Sequence, residues 1–96
     1  MKLEVTTFDT GCTDKEQAVK VLEEAAEVFG AWQEYEDIWH VRHCIDRETR
    51  CIIEDILADE IADVITAACN LASRIGVDVA PALLRTAEKN HQRGRC

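Results

Sequence analysis

Four carboxylates in this chain are spaced so that they could act together on a cation. Glu60 and Asp63 fall within the run Ile53 to Leu71. On a helix turning roughly 100° per residue, Ile53, Ile56, Leu57, Val64, Ala67 and Leu71 form one apolar stripe, with Glu60 near its middle and Asp63 beside it. Asp55 and Asp59 lie on the opposite, polar side of the same wheel. The segment therefore carries one acid pair outward and another inward. An unpaired buried carboxylate is costly, so the inward pair calls for a cation.

A second acidic group, Glu23, Glu24 and Glu27, precedes it in the chain, and Glu24 and Glu27 repeat the i, i+3 spacing of Glu60 and Asp63. Two readings of this group stand side by side. It lies opposite the apolar stripe Ala18, Leu22, Ala25, Ala26 and Phe29, as an ordinary solvated face does. Alternatively, two such pairs on antiparallel helices bring four carboxylates together, as in helical bundles that hold metals inside. Oxygen-only ligands suit Mg²⁺ or Mn²⁺ better than zinc or iron, which recruit histidine or cysteine. A di-iron carboxylate bundle would show Glu-x-x-His. Neither Glu24 nor Glu60 has a histidine three residues on, and Asp37, His40 and His43 have no matching second set.

The elements that must position these acids are helices. Thr13-Asp14-Lys15-Glu16 is a capping-box sequence, and it predicts a helix that starts there and runs past Gly30 to about His40. A second stripe on this helix, Val28, Trp32, Tyr35 and Trp39, lies roughly 90° from the first. Together they make a wider apolar arc than one neighbouring helix can cover. The pattern breaks from Val41 to Arg50, as for a turn or short helix. A second long helix is predicted from about Thr49 to Ile75, stopped by Gly76. Asp78 is placed to cap a third helix, with Pro81 in its first turn and Ala82, Leu83 and Ala87 as its apolar side. Residues Met1 to Cys12 alternate only weakly, as for an extended arm or frayed coil, and carry no motif.

Composition sets the frame. A chain of 96 residues is one domain, and a domain of this size buries only about 60 to 65% of its unfolded surface. With 47% hydrophobic residues, an all-α antiparallel bundle completed by homo-oligomerisation is expected, as a dimer or dimer of dimers. The net charge of −8 argues against a nucleic-acid polymer as partner, since backbone binding needs clustered Lys and Arg. Neither a membrane span nor a signal peptide is readable, which points to the cytoplasm. Cys12, Cys44, Cys51, Cys69 and Cys96 are odd in number and form no CxxC pair, so they read as free thiols. Arg85, Lys89, Arg93 and Arg95 make the one basic concentration, at the C-terminus. It reads either as a complement to a helix dipole or as an anion contact.

Taken in order, Glu23-Glu24-Ala25-Ala26-Glu27, Asp59-Glu60-Ile61-Ala62-Asp63-Val64, the turn Ile75 to Asp78 and the tail Glu88-Lys89-Asn90-His91-Gln92-Arg93-Gly94 resemble the MazG-like branch of the all-α nucleoside triphosphate pyrophosphohydrolases. The resemblance spans about Lys15 to Gly94. It implies Mg²⁺-dependent hydrolysis of an NTP or dNTP to the monophosphate and pyrophosphate. Glu24, Glu27, Glu60 and Asp63 would be the catalytic metal ligands, with Glu23 outside them, and Lys89, Asn90 and Arg93 would contact phosphate or sugar. The rival reading is a non-catalytic helical protein that uses its apolar faces to dimerise or to bind another chain. Such a protein has no need of acids within an apolar stripe.

Overall fold

The computed structural model describes residues 1–94; Arg95 and Cys96 lie outside the described residues. Three α-helices follow one another, α1 (Asp14–His40), α2 (Arg47–Ile75) and α3 (Ala80–Arg93), with a single 3₁₀ turn at Arg42–Cys44 between the first two. No strand occurs among the described residues. The all-α class read from the sequence is therefore what the chain adopts.

Helix α1 begins where the capping sequence placed it. The Thr13 hydroxyl accepts from the Glu16 N–H at 3.2 Å, but the Glu16 carboxylate accepts a hydrogen bond from the Thr13 hydroxyl at 3.0 Å instead of reaching back to a backbone N–H. Only half of the reciprocal box forms. Helix α2 starts two residues before the predicted Thr49, because Asp46 caps it by accepting from Thr49 N–H at 2.7 Å. It ends at Gly76, whose left-handed φ of 73° favours glycine, and Val77 N–H closes the end on Ala72 O. Asp78 sits one position ahead of the cap of α3 and accepts from Ala80 N–H at 3.0 Å.

The connector is short, so α1 and α2 fold back on each other as an antiparallel pair. Arg74 near the end of α2 meets Asp14 at the start of α1 through Nε to Oδ1 at 2.5 Å. At the other end Tyr35, Ile38 and Trp39 meet Arg50 and Ile53. The seam has a heptad-like register. Gln17, Val21, Glu24, Val28, Ala31, Tyr35 and Ile38 on α1, and Ile53, Leu57, Glu60, Val64, Ala67 and Leu71 on α2, are each buried or half-buried. Intervals of three and four keep a seam facing its partner over several turns. The arm, residues 1–12, has no regular structure but lies against the open end of the pair.

This register overturns one reading of α1. The stripe Ala18, Leu22, Ala25, Ala26 and Phe29 faces outward, with Leu22 71% and Phe29 59% exposed, while the acidic position Glu24 faces α2. Hydrophobicity ranked the faces wrongly because α1 has two apolar faces and α2 can cover only one. Ile56 on α2 is likewise exposed, although the rest of its predicted stripe is buried or half-buried. Fully buried apolar residues among the described ones are only Ala67 and Ala72. Two helices enclose little hydrocarbon by themselves. Helix α3 packs along neither long helix and leaves Leu83 and Leu84 exposed. Cys12, Cys44, Cys51 and Cys69 are free thiols.

Candidate metal centre

Two seam positions are acids. Glu24 stands between Val21 and Val28 on α1, and Glu60 stands between Leu57 and Val64 on α2. Antiparallel pairing sets them across from each other, and Asp63, one turn after Glu60, reaches the same place. One carboxylate oxygen from each of Glu24, Glu60 and Asp63 lies within 4.8 Å of the other two. Glu24 is only 7% exposed, Glu60 is half-buried and Asp63 is exposed, so the group opens to solvent on the Asp63 side.

The charge of this group is only partly answered. Lys20, one turn before Glu24, places Nζ 2.8 Å from Glu24 Oε1. Two of the remaining oxygens, Glu24 Oε2 and Glu60 Oε2, are buried without a hydrogen-bond partner. Orphaned buried acceptors are costly, and more so when charged. The hydrogen bond from Lys20 holds the Glu24 carboxyl below the usual carboxylate range, and sharing with Glu27 acts in the same direction. The same contact raises the Lys20 ammonium above its ordinary value. Glu27 is pushed up, first by its hydrogen bond with Glu24, then by the charge of Glu24, with burial and Glu60 adding to the effect.

Of the four acids proposed from spacing, the structure brings three together. Glu27 is exposed and stands outside the convergent oxygens, although it feels the charges of Glu24 and Glu60. Glu23 is exposed on the same turn. Lys89, Asn90 and Arg93 are not brought to the triad. They sit on α3, and the cavity beside the triad is lined instead by Phe8, Thr10, Gln17, Lys20, Thr66 and Asn70 together with Glu24 and Asp63. His40 approaches only Glu36, at 3.9 Å. Trp39 stacks on Tyr35 and carries the Arg42 guanidinium 4.2 Å over its ring.

Three polar residues of the site were not anticipated. Lys20 lies four residues before Glu24, the spacing of a helical ion pair. Gln17 lies seven before Glu24, and Asn70 seven after Asp63. A heptad register would have placed both amides beside the acids. The donor set is all oxygen, converges from two helices and leaves two buried oxygens unanswered, a chemistry suited to a hard divalent cation. No protein-family model, curated protein or solved structure matches the chain.

Proposed function

We propose that the chain is a cytoplasmic, Mg²⁺-dependent nucleoside triphosphate pyrophosphohydrolase, with Mn²⁺ as a substitute metal, that works as a dimer or pair of dimers. The observation that carries this reading is the convergence of Glu24, Glu60 and Asp63 across the seam with two buried oxygens left unpartnered. The ordered motifs that resemble the MazG-like enzymes add the substrate class. A divalent metal supplies neutralisation of the triphosphate oxygens and of the charge that develops as the phosphoanhydride bond breaks. Glu24, Glu60 and Asp63 would hold it, with Glu27 beside them on α1.

Lys20 holds Glu24 Oε1, and Glu24 Oε2 is left buried without a partner. Hydrolysis adds water across the α–β bond and releases monophosphate and pyrophosphate. Lys89, Asn90 and Arg93 remain in the proposal as phosphate or sugar contacts, reaching the triad from a second copy or through a swing about Gly76–Val79. The exposed apolar side chains Leu22, Phe29, Leu83 and Leu84 support assembly. They also favour the second reading, a non-catalytic helical partner protein. Among the described residues no helix is long and apolar enough to cross a membrane.

The test is a panel of NTPs and dNTPs incubated with the full chain and Mg²⁺ or EDTA, with products resolved. The expected result is metal-dependent pyrophosphate and a monophosphate from at least one nucleotide. Orthophosphate alone, or no metal-dependent turnover, overturns the reading. A stable complex with another chain whose affinity ignores Mg²⁺ favours the partner protein.

A further inference from the structure

Residues 1–12 carry no motif, yet the arm is fastened at two points on opposite walls of the hairpin. Phe8 donates its backbone N–H to Asn70 Oδ1 at 3.0 Å, and the Thr10 hydroxyl donates to Gln17 Oε1 at 2.8 Å. Both anchors are buried amides, Gln17 on α1 and Asn70 on α2. An amide has one acceptor oxygen and one donor nitrogen, so these bonds fix how each is turned. Gln17 gives Nε2 to Ala67 O at 3.2 Å and must offer its oxygen to Thr10. Asn70 must turn its oxygen to the Phe8 N–H, which leaves Nδ2 donating to no protein group among the described residues.

Two cavities meet under the arm. One, of about 170 Å³, has Glu24 and Asp63 at one end and Phe8, Thr10, Gln17 and Asn70 at the other. A larger one, of about 380 Å³, shares those last four residues and continues to Thr7, Asp9, Ser73 and Arg74. Charge is divided along this trough. Negative groups gather at the triad end. At the arm end the Arg74 guanidinium meets Asp14 Oδ1 at 2.5 Å and Asp9 Oδ1 at 3.6 Å, so this ion cluster shares the lining with hydroxyls, amides and Phe8. An uncharged heterocycle with its sugar, offering acceptors at its edge and a face for stacking, fits that lining.

We propose that the N-terminal arm is the nucleoside-selecting wall of the site, with Phe8 stacking on the base and Asn70 Nδ2 donating to an acceptor on its edge. This inference rests on the pyrophosphohydrolase reading, which sets the phosphates at the triad. Phe8 is 60% exposed, so substituting it leaves the fold intact. The test compares the full chain with Phe8→Ala and Phe8→Tyr in two assays. The first is Mg²⁺-dependent kcat and KM over the NTPs and dNTPs. The second is amide chemical-shift mapping with AMP, GMP, CMP and UMP in EDTA.

The expected result is that Phe8→Ala raises KM for the preferred nucleotide about tenfold, the scale of one base–aromatic stack, with a smaller change in kcat. Discrimination among bases narrows, and Phe8→Tyr restores it. The monophosphates shift the amides of residues 7–10 and 70–74, and Phe8→Ala removes those shifts. If the wild type turns nucleotides over but Phe8→Ala leaves KM and base discrimination unchanged, the arm proposal falls and the hydrolase stands. If the wild type turns nothing over, the hydrolase reading falls. The arm is then judged by the EDTA titrations, where the absence of shifts in residues 7–10 overturns it.

Discussion

Glu60→Gln is expected to remove nucleotide turnover, lowering kcat by roughly 10²–10³-fold or more, as the loss of one electrostatic stabiliser of developing charge does. The metal-free protein should be at least as stable as the wild type. Glu60 Oε2 is buried with no partner, and the charge of Glu60 helps to push Glu27 up. A neutral carboxamide of the same shape relieves that repulsion and brings an N–H₂ donor to a cluster of acceptors. Stability and catalysis thus move in opposite directions, which a merely structural glutamate does not do. Thermal unfolding of both proteins with and without Mg²⁺, alongside kcat, reads the outcome. In the wild type Mg²⁺ should raise the midpoint, since a ligand at 100 times its Kd adds about 2.7 kcal/mol. In Glu60→Gln that rise should shrink. If Glu60→Gln unfolds the metal-free protein and Mg²⁺ never changes wild-type stability, the metal-site reading is wrong.

The second large effect concerns the outer face of α1. Leu22 and Phe29 stand on one side of the helix and turn away from α2. Burying each against a second copy contributes about 1.5 to 3 kcal/mol, and a twofold interface uses each residue twice. Leu22→Asp combined with Phe29→Asp is therefore expected to weaken self-association by at least about 10³-fold. Sedimentation over a range of concentrations should show the wild type as a dimer or larger and the variant as a monomer. The unfolding midpoint of the variant should also lose its dependence on concentration. A wild type that stays monomeric throughout would remove the assembly from the proposal.

What could be read from sequence followed the strength of each local signal. Thr13 and Glu16 marked the start of α1, and Gly76 marked the end of α2, because caps are chosen by backbone chemistry within a few residues. Glu60 stood out because it interrupts an otherwise apolar stripe. Glu24 did not, since α1 offers apolar residues on two faces and nothing in its own composition says which one meets α2. That choice is made by the pairing: the face holding Gln17, Glu24 and Tyr35 is matched in register to Ile53, Glu60 and Ala67. Hydrophobicity alone favoured Leu22 and Phe29. The roles of Gln17 and Asn70 were hidden for a related reason, as each amide gains its meaning from a partner 50 to 62 residues away. The arm was opaque because backbone groups docked by side chains leave no periodicity.

Mn²⁺ binding followed by electron paramagnetic resonance, compared between the wild type, Glu24→Gln and Asp63→Asn, tests the carboxylate cradle most directly. Saturable binding to the wild type that is weakened in both variants, and that Mg²⁺ competes away, is the predicted result. Equal Mn²⁺ affinity in all three proteins, or none in the wild type, would contradict it.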